Sequence, residues 1–204
     1  MDEISKEYVV SFFEKSLRFH GNRPEAVRWT GEGQEMHYRS MLDIGDLRGM
    51  RVLDYGCGTG DFLGHLRRSG IDAGYCGTDI SPALIDRAKE KYPDADFRVF
   101  DIEDQELGEG FDFIMLCGVF NLRVQGIEQT VRNVLQRLFP HCRKGLAFNA
   151  LSSHTPRKDP ELSYLSPEEM LGFCIDSITP YVSLRLDRML HDFTLFLYRE
   201  RNRF

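Results

Sequence analysis

The sequence predicts an α/β protein: a doubly wound, mostly parallel seven-stranded sheet with an antiparallel strand at its carboxyl end. Three observations predict it. From residue 51 onward, short apolar runs alternate with segments of helical periodicity. Glycine and proline punctuate the junctions between them. The tail, "YVSLRLD" then "HDFTLFLYRE", reads as two strands joined by a short turn around Arg188 to Leu190, hence an antiparallel pair.

Ile4, Tyr8, Val9, Phe12, Phe13 and Leu17 recur at helical spacing, so residues 4 to 19 form an amphipathic helix, ended by His20-Gly21-Asn22-Arg23-Pro24. A weaker helical stretch covers residues 33 to 43, and Gly45 and Gly49 break the chain after it. "RVLDYG" is the first strand and "DFLGHLRRSG" a helix ended by Gly70. "DAGYCGTDI" is the second strand. In "SPALIDRAKEKYP", Ser81 is the N-cap, Pro82 the first helical residue and Pro93 the stop. "ADFRVFDI" and "FDFIMLCGVF" are the third and fourth strands. A helix carrying Ile127, Val131, Val134, Leu135 and Leu138 runs to Pro140, and "KGLAFNAL" is the fifth strand. Residues 152 to 165 read as a long polar loop, and Ser166-Pro167-Glu168-Glu169 as a capping box that opens another helix.

The 204 residues suffice for one domain with a sizeable core, and no repeat or low-complexity tract is present. Twenty-six basic against 32 acidic residues give a formal charge of −6, which argues against a nucleic-acid partner. No apolar run approaches a membrane span, and the amino terminus lacks the layout of a secretion signal. Cysteines 57, 76, 117, 142 and 174 are odd in number and form no C-x-x-C pair, which predicts reduced thiols in a cytoplasmic protein and excludes a zinc ribbon.

The chemistry concentrates in "VLDYGCGTGDF". Gly56, Gly58 and Gly60 lie where the first strand turns into the first sheet helix, letting a ligand lie against the main chain. A dinucleotide fingerprint would want glycine or alanine at position 61, where Asp61 stands, and a carboxylate there opposes a pyrophosphate. The phosphate loop G-x-x-x-x-G-K-[ST] is absent. Asp79 ends the second strand, where a carboxylate can accept a ribose diol; Asp101 ends the third; Asp54 adds charge near the turn. Acidic groups ending three strands suit a nucleoside with a cationic appendage.

The stretches "VLDYGCGTGDF", "YCGTDISPALIDRA", "FRVFDIED" and "FDFIMLCGVFNL", in that order, resemble the class I S-adenosylmethionine-dependent methyltransferases over residues 50 to 122. The resemblance implies a Rossmann-like core over residues 49–204 behind an N-terminal helical cap, residues 1–48, in a single domain. It implies S-adenosyl-L-methionine as cofactor. Asp54, Gly56, Cys57, Gly58 and Gly60 would lie at the methionine part, Asp79 and Ile80 at the ribose, Asp101 and Ile102 at adenine, and Cys117 with Gly118 along the methionine side. Cap segments of this family fold over the cofactor, so Trp29, Gln34 and Arg39 are candidates to line it, the arginine pairing with the methionine carboxylate.

Asn121 and Asn149 follow the fourth and fifth strands, at the rim where an acceptor substrate is expected; with no carboxylate cluster beside them, no metal site is expected. His154 in the polar loop and His191 at the last strand are further rim residues, and Arg157 and Lys158 would suit an anionic group. No histidine stands out as a catalytic base. "CGVFNL" lacks the [DNS]-P-P-[YFW] motif of nucleic-acid amino methylation, so the expected acceptor is a small molecule. The alternatives are a non-catalytic binder of the cofactor on the same fold and an NAD-dependent oxidoreductase, which Asp61 disfavours.

Overall fold

Parallel strands cannot be joined by hairpins, so each must be followed by a crossover, and this chain supplies helices for the purpose. The structure, a computed structural model, describes residues 1–27 and 29–201. After helices α1 (Glu3–His20) and α2 (Gly31–Met41) come β1 (Arg51–Tyr55), α3 (Asp61–Arg68), β2 (Gly74–Asp79), α4 (Pro82–Lys91) and β3 (Asp96–Val99). β4 (Phe111–Leu116), α5 (Ile127–Leu138), β5 (Cys142–Leu151), α6 (Pro167–Ser177), β6 (Val182–Arg185) and β7 (Asp192–Tyr198) complete the order.

The seven strands form one sheet in the order β3-β2-β1-β4-β5-β7-β6. β7 runs antiparallel to both β5 and β6, and the pairings among the other five strands are parallel. The predicted sheet is therefore the one observed. Side chains alternate between two apolar cores, as a strand buried on both faces requires. Leu53 and Tyr55 of β1 pack with Val131, Val134 and Leu135 of α5 and with Met170 and Cys174 of α6. Val52 packs on the opposite face with Tyr38 and Met41 of α2, Phe62 and Leu66 of α3, and Ile85 of α4. Each fully buried side chain of this size contributes about 1.5–3 kcal/mol.

Boundaries fall close to those expected. The first helix gains a residue at each end, with Asp2 as N-cap accepting from the Ser5 N–H at 2.7 Å. The second starts two residues early, capped by Thr30, and passes into a 3-10 turn over Leu42–Ile44. Ser81 caps α4 as predicted. Ser166 caps α6 by accepting from the Glu169 N–H, while its own hydroxyl donates to Glu168 at 2.9 Å. The polar loop is tied down by isolated bridges, Leu122 to Leu162 and Ser152 to Leu165. Among the described residues, no helix is long and apolar enough to cross a membrane.

The chain moves outward from β1 to β2 and β3, then returns to place β4 on the other side of β1. Successive crossovers diverge there, and a crevice opens at the carboxyl ends of β1 and β4. The turn between β1 and α3 borders it. Gly60 closes that turn at φ +77°, and a Cβ on it would stand 2.8 Å from the Phe97 ring, which is buried in the core. Gly60→Ala is expected to lower stability by roughly 1–3 kcal/mol. A shift of the urea midpoint measures this, and an unchanged midpoint would contradict the assigned backbone.

Candidate active site

The turn after β1 is stitched to its neighbour strand before any ligand is considered. The N–H groups of Gly56 and Cys57 both donate to the Thr78 carbonyl on β2, at 2.7 and 2.9 Å. The Gly58 N–H donates to Asp79 Oδ2 at 3.0 Å, and the Ser81 N–H to Asp79 Oδ1 at 2.9 Å. One carboxylate thus fixes two turns, that after β1 and that before α4. Gly58 adopts φ +55°, and its open side faces Val27 across the crevice. Gly60 faces Phe97 and Tyr92 on the other side, so it shapes the turn from behind.

A cavity of about 100 Å³ opens beside this turn. Gly56, Gly58, Asp79, Ile80, Asp101 and Gly118 line it from the sheet, and Lys6, Val9, Phe13 and Val27 close it from the amino-terminal side. Asp101 receives the Tyr55 hydroxyl at 3.3 Å and the Glu103 N–H at 2.8 Å on Oδ1, while Oδ2 pairs with Lys6 Nζ at 2.7 Å. Burial raises the pKa of Asp79 and is opposed by the donors of Ser81 and Gly58. Asp54 lies beneath the turn, 2% exposed, with the Tyr75 hydroxyl donating to it at 2.5 Å. Burial, together with the charges of Asp79 and Asp61, pushes its carboxyl up to about 7 against the Tyr75 hydrogen bond.

The cavity fits a nucleoside with an extended polar chain. A bare backbone approach at Gly58 gives room for a chain, carboxylates at the ends of β2 and β3 offer hydrogen-bond acceptors, and the remaining wall is apolar. Residues 52–143 match the family model described as a methyltransferase domain. Over those residues the chain carries a methyltransferase domain similar to the class I S-adenosylmethionine-dependent methyltransferases. Among its relatives, the magnesium-protoporphyrin O-methyltransferase of Rhodobacter capsulatus is 44% identical over 75 residues, 34% of this chain. Malonyl-[acyl-carrier protein] O-methyltransferase 1 of Ilyobacter polytropus is 29% identical over 181 residues, 79% of this chain. Those alignments span 32% and 61% of the two relatives' own lengths. The magnesium protoporphyrin IX methyltransferase of Synechocystis PCC 6803, with bound SAH, superposes at a TM-score of 0.69 with 15% identity, covering 97% of this chain and 99% of its own. A second structure of that Synechocystis protein, with bound SAM, superposes at a TM-score of 0.65 with 16% identity.

Of the residues expected at the cofactor, Gly56, Gly58, Asp79, Ile80 and Asp101 converge on the cavity, with Gly118 opposite. Asp54, Cys57 and Ile102 are buried behind them, and Cys117 precedes Gly118 without lining the cavity. Arg39 is not brought to the site. It lies 73% exposed on α2, beside Glu35 one turn earlier. Asp61 also departs from its expected part: it pairs with Lys91 at 2.5 Å and accepts from Thr59 at 2.8 Å. Asp101 is offset by Lys6 and Glu103 by the Met1 amino group, so the negative character of the cavity comes mainly from Asp79. Asn149 accepts the Gly118 N–H at 2.7 Å, whereas Asn121 Oδ1 is buried without a partner. His154 is exposed and meets Glu168 at 2.6 Å, outside the cavity lining.

Sequence reasoning missed Lys6 as a cavity residue, although Lys6, Val9 and Phe13 share one helical face and could have been read together. It also missed His37 and Asp192, which meet across 155 positions and leave no local signal. Among the described residues, no group of three or more His, Cys, Asp or Glu side chains is placed to hold a metal ion.

The raised pKa of Asp54 makes stability depend on pH. A carboxyl whose folded pKa lies above its unfolded value of about 3.9 contributes fully below pH 4 and loses that contribution as pH rises through 7. Asp54→Asn keeps an acceptor for Tyr75 and removes the charge. Relative to the parent it should gain stability between pH 4 and 7, on the order of 4 kcal/mol by pH 8. Urea titrations across that range measure it; a gap that does not grow with pH would contradict the assignment.

Proposed function

We propose that this methyltransferase acts on a small-molecule acceptor, with the cofactor seated along the β1 turn. The observation that carries this is the convergence of the Gly58 backbone, Asp79 and Asp101 on one cavity at the carboxyl ends of β1, β2 and β3. Asp79 would accept the ribose hydroxyls with the lone pairs its two backbone donors leave free. Asp101 would take the amino edge of adenine, with Ile102 behind it. The methionine chain would lie along the backbone of the turn at Gly56 and Gly58, whose missing side chains leave Val119 and Val27 packed close to the main chain. When bound, S-adenosylmethionine supplies an electrophilic methyl group on a sulfonium leaving group. The chain's own part is to align and to keep water out, and such positioning can be worth up to about 7–11 kcal/mol of barrier.

The acceptor reading rests on the cavity's wall. Val9, Phe13, Val27, Phe100 and Phe120 make that wall apolar, and two of its three carboxylates are paired with Lys6 and the Met1 amino group, which favours a small, largely apolar acceptor over a polyanion. The relatives named above act, by their names, on magnesium-protoporphyrin and on a malonyl-carrier thioester. Asn121 and Asn149 are proposed at the rim on the acceptor side, Asn149 acting through its hold on Gly118. Five unpaired cysteines are consistent with a cytoplasmic setting.

The direct test incubates the protein with methyl-labelled cofactor and fractionated small-molecule extract, then identifies the labelled product. Label confined to protein or nucleic acid would overturn the acceptor class. The ribose assignment is tested by calorimetry with S-adenosylhomocysteine. Because Asp79 accepts from two backbone donors, Asp79→Asn keeps one of these bonds and sets its NH2 against the other donor, so circular dichroism first establishes that the variant folds. A loss of about 1.5–3 kcal/mol per charged hydrogen bond predicts affinity reduced roughly 10- to 100-fold. Unchanged affinity in a folded Asp79→Asn protein would remove Asp79 from the ribose. Gly58→Val, which sets a branched side chain at φ +55° facing Val27, should abolish binding. Normal affinity in that variant would show that the backbone approach lies elsewhere.

A further inference from the structure

Trp29, the chain's single tryptophan, is connected to the far side of the sheet by a continuous line of contacts. Its indole lies against Gly118, so closely that a Cβ there would stand 2.4 Å from Trp29 Cζ2. Gly118 lines the cavity at φ +71° and is fixed from below by Asn149 of β5. On its other side the indole packs on the His37 ring, with centroids 4.0 Å apart at 55°. His37 is 6% exposed. Its Nδ1 donates to the Gly33 carbonyl at 2.6 Å, and Nε2 meets the carboxylate of Asp192, the first residue of β7. A hydrogen lies in each contact, so neither ring nitrogen has a lone pair to offer a substrate. The ring has no part as a base. What it does is hold a flat face against an indole.

We infer that His37 and Asp192 are positioning residues that hold Trp29 against Gly118, at the edge of the cavity where the methionine end of the cofactor would lie. The inference rests on the cofactor reading above. Three features support it. The pair spans α2 and β7, so it fixes the amino-terminal segment to a rigid strand of the sheet. A second contact between the same elements, Ser40 Oγ to Thr194 Oγ1 at 3.1 Å, holds the helix in register. An indole face is also the aromatic surface that best receives a cation, which suits a sulfonium.

The single tryptophan makes this measurable without turnover, because all indole emission reports Trp29. Three variants are compared with the parent: His37→Ala, Asp192→Asn and His37→Arg. The last restores N–H donors and a flat face for the indole. In the parent, S-adenosylhomocysteine binding followed by calorimetry should be matched by a change in indole emission at the same midpoint. His37→Ala should shift the emission of the ligand-free protein to longer wavelength and weaken binding about tenfold. Asp192→Asn should do both to a smaller degree, and His37→Arg should restore both toward the parent. Calorimetric binding in the parent with no emission change would overturn the placement of Trp29. Parent-like emission and affinity in a folded His37→Ala protein would overturn the role of the pair, as would His37→Arg behaving like His37→Ala. Should His37→Ala fail to fold by circular dichroism, Asp192→Asn decides the same question. A parent that binds no S-adenosylhomocysteine would count against the cofactor reading itself, while the ligand-free emission of the variants still decides whether the pair holds the indole.

Discussion

The whole arrangement depends on one buried carboxylate. Asp79 accepts an N–H from Gly58 and another from Ser81, and so joins the turn that follows β1 to the turn that opens α4. Without an acceptor there, two backbone donors next to a cavity would lack partners, and the turn would have to find another shape. Burial makes the charge unfavourable in itself, and the two donors offset that cost only partly, which is why the pKa stays raised. A ligand that brings hydroxyl donors would complete the compensation. The site is thus an electrostatically incomplete structure, and its incompleteness defines the kind of group it accepts.

The acidic groups nearby are handled differently according to depth. Asp61 is paired with Lys91, and Asp101 with Lys6, so their charges are compensated inside the chain. Asp54 has only a phenol as partner and responds by holding its proton into the neutral range. Its charge is therefore about half withdrawn near pH 7, leaving Asp79 as the dominant unpaired acceptor at the turn. Lys6 deserves a different reading from a simple ion pair, because it stands on the carboxylate assigned to adenine. An adenine amino group and the Lys6 ammonium both seek Asp101 Oδ2, so any ligand there must share or displace that contact.

Most of the fold was legible because its determinants are local. Ser81 and Pro82 announce the start of α4 within two residues, and the alternation from Arg51 onward announces the parallel sheet. The cofactor turn was legible for the same reason: its glycines and Asp79 lie within one strand-turn-helix-strand unit. What failed depended on distant partners. Asp61 was read as facing the ligand because Lys91, thirty positions away, leaves no trace in the local pattern. Arg39 was assigned to the wrong side of α2 because the helix is polar over much of its surface; only the burial of His37, Tyr38 and Met41 reveals which side faces inward. His37 and Asp192 belong to elements that no periodicity links.

The two amino-terminal helices are held in different ways. α2 buries Tyr38 and Met41 in the core beneath α3, while α1 fully buries only Ser5. α1 nevertheless supplies Lys6, Val9 and Phe13 to the cavity wall. Its polar hold on the sheet includes Lys6 on Asp101 and Asp104, the latter 64% exposed. The Lys6 pair with Asp101 is mostly buried and so is worth more than the open contact with Asp104. α2 is therefore held chiefly by buried apolar side chains, and α1 by half-buried ones together with a sheltered ion pair that sits in the cavity wall itself.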